Sequence, residues 1–202
     1  TILRGVLAAA ELLEKEFGVP ADVFSVTSFS ELRREALDAE HWNLLHPGEP
    51  RRTPYVQQCL AGHAGPFIAA TDYMRTVPDQ VRAWVPGRYH VLGTDGYGRS
   101  DSRAALRNFF EVDRRWIALA ALKALADEGR LDLATVASAI ERFGIEPGPQ
   151  VLRSRHRIGF DEPEQLIRRN AAVDDLAQRR RRVRNPAEDA ALGLDHPQAH
   201  FV

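Results

Sequence analysis

Residues 92–103 read Leu-Gly-Thr-Asp-Gly-Tyr-Gly-Arg-Ser-Asp-Ser-Arg, a run that crowds three glycines, three aliphatic hydroxyls, two acids and two arginines between apolar neighbours. Glycine-rich backbone entering a helix can turn amide N–H groups toward an anion, and Arg99 adds a positive charge. Thr94, Asp95, Gly96, Gly98, Arg99, Ser100 and Asp101 are therefore the candidate interface or anion-contact loop. A structural reading of the same residues is favoured. In it Gly96 and Gly98 permit positive φ, Asp95 or Asp101 caps a helix, and Arg99 forms an ion pair across a domain or subunit boundary.

Other chemistry is thinner. His41, His46, His63 and His90 do not repeat a two-plus-two metal-ligand spacing, so scattered surface or capping histidines are expected. His41, Trp42 and His46, beside Pro47, have the aromatic and proline content of a domain-packing segment. Ser100 lies in Gly-Arg-Ser-Asp rather than a Gly-x-Ser-x-Gly elbow, which disfavours a serine hydrolase. The single cysteine, Cys59, precludes an internal disulfide and reads as a half-buried helix residue rather than a nucleophile. No catalytic, cofactor-binding or metal-ligating residue is expected.

The elements that position these residues alternate in type. Ile2 to Phe17 carries a helical apolar stripe closed by Gly18 and Pro20. Asp22 to Thr27 reads as a strand, and Ser28-x-x-Glu31 has capping-box spacing for a helix through about Ala39. His41 to Pro54 reads as loop, Tyr55 to Leu60 as a short helix, and Pro66 to Thr71 as a strand. A helix starts at Thr76 and ends before Pro86, and Tyr89 to Leu92 is a strand feeding the glycine loop, with a helix start at Ser100 or Asp101. Three helices follow, Ser102 to Phe109, Asp113 to Asp127 and Asp132 to Phe143. This order predicts an α/β fold, a mostly parallel sheet with helices on both faces. Composition shifts at residues 146–149, so 147–202 reads as a linker and an Arg/Pro-rich extension whose basic run, residues 179–184, is a solvated helix face.

With 202 residues and 44% hydrophobic content, one main domain and an appendage are expected. A net charge of -1 offers no reason to expect nucleic acid or an anionic membrane as partner. No apolar run approaches a membrane span, and no signal peptide is evident, so a cytoplasmic protein is expected.

Five motifs in order then carry a resemblance: Val26-Thr27-Ser28-Phe29, His41 to Pro47, Ala70 to Met74, Leu92 to Arg103 and Phe110 to Asp113. Over residues 1–146 the chain resembles the C-terminal domain of the homodimeric pyruvate dehydrogenase decarboxylating component, a thiamine-diphosphate enzyme of the transketolase superfamily. The resemblance implies a three-layer α/β unit of about five strands, with the strand that ordinarily precedes the first helix missing. It also implies a role in completing a homodimer and supporting upstream thiamine-binding domains, with dihydrolipoyl acetyltransferase as a further partner in a multienzyme complex of pyruvate metabolism linked to glycolysis. Thiamine diphosphate and Mg belong to the full-length enzyme and not to this chain. Thr94-Asp95-Gly96 only echoes that family's metal-binding Gly-Asp-Gly, and Asn108 stands without the paired asparagine that should follow. The alternative is a free-standing interaction or anion-binding module derived from the same domain.

Overall fold

The computed structural model describes residues 1–96, 98–146 and 198–202. The basic run at 179–184, and Tyr97 in the glycine loop, lie outside the described residues. Helix α1 (Ile2–Phe17) buries Val6, Ala9 and Leu13 at helical spacing and ends at Gly18, whose φ of 64° places it in the left-handed region. Strand β1 (Ala21–Val23) is followed by α2 (Phe29–Leu45), which Ser28 caps by accepting from the Glu31 N–H at 3.2 Å. Then come α3 (Tyr55–Leu60), β2 (Phe67–Ala70), the single turn α4 (Thr76–Asp79), a 3-10 turn at Arg82–Trp84, and β3 (Tyr89–Leu92). Helices α5 (Arg103–Phe109), α6 (Arg114–Asp127) and α7 (Leu133–Arg142) follow, and β4 (Ala199–Phe201) ends the chain.

All strand pairs are parallel, in the order β1-β4-β2-β3. There are four strands among the described residues, where about five were expected. The fourth comes from the last residues of the chain: Phe67 pairs with His200, Ile68 with Phe201, and Ala21 with Ala199. Those residues belong to the stretch read as an extension of uncertain structure, and they sit at the centre of the sheet.

Every residue of β2 is buried, as a parallel strand covered on both sides requires. Ile68 and Ala70 face a core built with α1, α6 and α7, to which β4 adds Ala199 and Phe201. Phe67 and Ala69 face the opposite core, with Val56 and Leu60 of α3, Val81, Val85, Tyr89 and Val202. Alternate side chains thus make two cores and three layers.

Local readings shift in four places, the first being β1, which spans Ala21–Val23 where a strand from Asp22 to Thr27 is expected. Helix α2 runs to Leu45, so His41 and Trp42 are helical; nothing in residues 40–45 breaks a helix, and Pro47-Gly48 does. The Thr76 segment divides into α4 and the 3-10 turn, which lets Val81 and Val85 reach the second core. Cys59 is exposed rather than half-buried, because α3 turns Val56 and Leu60 inward at i, i+4 and leaves its neighbour outside.

Candidate functional site

In an open parallel sheet, ligand clefts form beyond the carboxyl ends of the strands. Here the two segments leaving β2 and β3 are laced together. The Thr71 N–H donates to the Leu92 carbonyl at 3.0 Å and the Thr94 N–H to the Tyr73 carbonyl at 2.8 Å. Thr94 Oγ1 donates to the Asp72 carbonyl at 3.0 Å, and Asp95 Oδ1 accepts from the Arg75 N–H at 2.9 Å. Gly93 is needed for this approach, since a Cβ there would lie 2.8 Å from both the Arg75 nitrogen and the Tyr73 oxygen.

Beside this junction lies a cleft of about 630 Å³, lined by Asp72, Thr94, Gly96, Gly98, Arg99, Asp101, Arg103, Arg107 and Phe110 among others. Two of its charges, Asp72 and Arg107, pair with each other. Arg107 donates to both oxygens of Asp72, at 3.1 and 2.9 Å, and joins α5 to the loop after β2. The Arg99 guanidinium lies 4.1 Å from the centre of the Phe109 ring, and Phe109 meets Phe110 edge to face.

The candidate loop is therefore brought to one wall of one cleft, with roles that differ from those expected. Gly96 has a positive φ of 116°, but Gly98 does not. Ser102, and neither Asp95 nor Asp101, caps α5 by accepting from the Ala105 N–H at 3.3 Å, while Asp101 Oδ1 accepts from the Ser102 N–H at 2.6 Å. Asp95 instead fastens the segment at Arg75. Arg99 stacks on an aromatic ring rather than ion-pairing among the described residues. Ser100 is exposed. Helix α5 is only seven residues long and its cap already holds the Ala105 amide, which weakens the anion cradle.

The segment with His41, Trp42 and His46 forms the end of α2. Trp42 and His46 stack at 4.3 Å, Arg52 covers the indole at 4.1 Å, and Asn43 exchanges hydrogen bonds with the Arg52 backbone at 2.7 and 2.9 Å. This end presents Leu44 and Leu45 at 75% and 61% exposure, and near the cleft Tyr73 and Met74 are exposed as well. Apolar side chains so placed favour a covering partner.

A second constellation was invisible in the sequence. Asp22 at β1, His63 in the turn before β2 and His200 on β4 place one ligand atom each within 4.8 Å of one another. His63 is thus not a scattered surface histidine. Burial and the neighbouring His63 ring lower the His200 pKa, while a hydrogen bond to the Ala64 carbonyl and the Asp22 carboxylate raise it; burial is the largest effect and the net shift is downward. His41 and His46 stay at the end of α2, and His90 sits on β3, its pKa also lowered mainly by burial.

A diphosphate-bound Mg ion needs carboxylate oxygens left open to it; here Asp72 is closed by Arg107 and Asp95 by the Arg75 backbone and side chain, while Asp101 accepts from the Ser102 N–H with Oδ1. The fold and this arginine-fastened cleft define a parallel α/β domain. The chain belongs to the transketolase-like TK C-terminal domain family, which matches residues 1–113. It is 59% identical over 148 residues to the pyruvate dehydrogenase E1 component of Pseudomonas aeruginosa, covering 73% of this chain and 17% of that protein. The E1 components of Cupriavidus necator and Escherichia coli K12 are 54% and 52% identical over 147 residues, covering 73% and 72% of this chain and 16% of each relative. The chain thus spans about a sixth of the length of these curated relatives. Among the described residues, no helix is long and apolar enough to cross a membrane.

Proposed function

We propose that this chain acts as the C-terminal, non-catalytic domain of a pyruvate dehydrogenase that decarboxylates pyruvate and acetylates lipoyl groups. The observation that carries this reading is the 59% identity over 148 residues to a pyruvate dehydrogenase E1 component. Two structural features support it. Within the cleft Asp72 is closed by Arg107 and Arg99 stacks on Phe109, which suits a wall or interface better than a reaction centre. Exposed Leu44, Leu45, Tyr73 and Met74 supply apolar surface for docking. In this reading the upstream domains hold thiamine diphosphate and Mg, the assembled enzyme is a cytoplasmic homodimer, and dihydrolipoyl acetyltransferase receives the acetyl group.

The test is complementation. The Pseudomonas aeruginosa enzyme, cut back to remove the region homologous to residues 1–146, is mixed with this chain and assayed for pyruvate-dependent lipoyl acetylation. Dimer formation and activity should return on mixing, while the chain alone stays inactive. Turnover of pyruvate by the chain alone, or saturable binding of thiamine diphosphate and Mg to it, would overturn the reading. Arg99→Ala separates a structural loop from a substrate-contacting one: an intact dimer with impaired turnover would sink the purely structural role.

A further inference from the structure

We propose that Asp22, His63 and His200 form a binding site for a zinc-class transition-metal ion that clamps the C-terminal strand into the sheet. The donors come from three separate places: β1, the turn between α3 and β2, and β4. Asp22 Oδ2 lies 3.1 Å from His63 Nδ1 and 3.3 Å from His200 Nδ1. Ligands held at about 2.0–2.1 Å around a tetrahedral zinc stand about 3.3–3.4 Å apart, so these spacings match two edges of such a tetrahedron. Gln198 Nε2 also donates to Asp22 Oδ2, at 3.0 Å, and steadies the carboxylate.

The tautomer of His200 carries the argument further. Its Nε2 faces the Ala64 carbonyl at 3.3 Å, and a carbonyl only accepts, so that nitrogen bears the proton. In the neutral ring Nδ1 then points a lone pair toward the Asp22 carboxylate. His200 is 0% exposed, and its Nδ1 has no hydrogen-bond partner. A buried lone pair facing a carboxylate calls for a cation between them. An imidazole held by an N–H to a backbone carbonyl on one side and offering its other nitrogen is also the usual setting of a metal-bound histidine. Arg130 Nη1 donates to the same Ala64 oxygen at 3.2 Å.

Two imidazole nitrogens and one carboxylate oxygen suit Zn, Co, Ni or Cu better than Mg or Ca. The side chains of Asp22 and His63 remain 45% and 33% exposed, which leaves an entry route and room for a water in the fourth position. Binding would join β4 directly to β1 and to the turn preceding β2, across the two strands it lies between.

The test uses the full 202-residue chain, stripped with a chelator and dialysed. Titration with Co²⁺ should give one equivalent of binding with the intense visible absorption of a tetrahedral site, displaceable by Zn²⁺ and not by Mg²⁺. Asp22→Asn and His63→Gln both alter partly exposed side chains, and with circular dichroism unchanged each should weaken binding by at least about tenfold. Zn²⁺ should also slow release of Val202 and Phe201 by a serine carboxypeptidase, and should not do so in Asp22→Asn. Absence of Co²⁺ binding to the unaltered chain, or equal binding by it and both variants, would overturn the proposal and leave a proton as the bridge between His200 and Asp22.

Discussion

Arg107 of α5 holds both carboxylate oxygens of Asp72, and this one pair fastens the helix after the glycine loop to the segment leaving β2. The Arg107 side chain is 17% exposed and that of Asp72 45%, so solvent screens the pair on one side only. Arg107→Ala should cost about 1 kcal/mol, and a double-mutant cycle with Asp72→Ala should return a coupling of about 0.5–1 kcal/mol in urea unfolding. A coupling of zero would show that the fork geometry contributes packing alone.

Gly93 and Gly98 lie in the same run but should respond oppositely to alanine. At Gly93 a new Cβ meets backbone atoms at 2.8 Å, which cannot move aside as a flexible side chain would. Gly93→Ala should therefore cost about 1–3 kcal/mol. Gly98 has open space around it and no positive φ, so Gly98→Ala should stay within about 0.5 kcal/mol. Thermal unfolding of the two variants compares them directly.

Phe201 is fully buried in the core shared by α1, α6 and β4. Phe201→Ala should cost about 3–5 kcal/mol if β4 unfolds together with the domain. Removing residues 198–202 exposes the facing edges of β1 and β2, and light scattering should then report association through them. A smaller loss for Phe201→Ala, with faster proteolysis of the chain's end, would show β4 detaching before global unfolding.

His90 lies on β3 with Nε2 buried and unpaired. Burial, then Arg88, lowers its pKa, with Arg82 and Lys123 acting in the same direction and Asp127 opposing. The unfolded imidazole titrates near 6.5. Below that value the unfolded chain takes up a proton that folded His90 resists, so stability is full above about pH 6.5 and falls as the pH drops further. Urea midpoints at about pH 8 and pH 5.5 should show this decline, and His90→Gln should flatten it. Buried His200, shifted the same way, should leave a residual slope.

Cys59 is exposed on α3, beside Val56 and Leu60, which are buried. A thiol reagent should label one equivalent in the native state at the same rate as in urea, within about threefold. Labelling that requires denaturant would mean that this helix face is covered in solution.

Much of the chain was readable from local patterns. The stripe of α1, the Ser28 cap, the four apolar residues of β2 and the run from Tyr89 to Leu92 each depend on neighbours within a turn or two. The same run, with its glycine loop, pointed to the family that residues 1–113 match. The loop's individual roles were less legible. Which glycine must be glycine depends on the Tyr73 to Arg75 backbone passing alongside, and which acid caps or fastens depends on where α5 starts.

By itself, then, the sequence determined the alternation of helix and strand, the two-faced burial of the parallel sheet and the family motifs, because period, capping and turn chemistry act over a few residues. Only the tertiary structure decided that Ala-His-Phe at the chain's end lies between β1 and β2. Three residues carry too little local signal to name a strand, and a central parallel strand is selected by backbone pairing with neighbours far away in sequence. That same pairing brings His200 to Asp22 and His63, a meeting no spacing in the chain could announce.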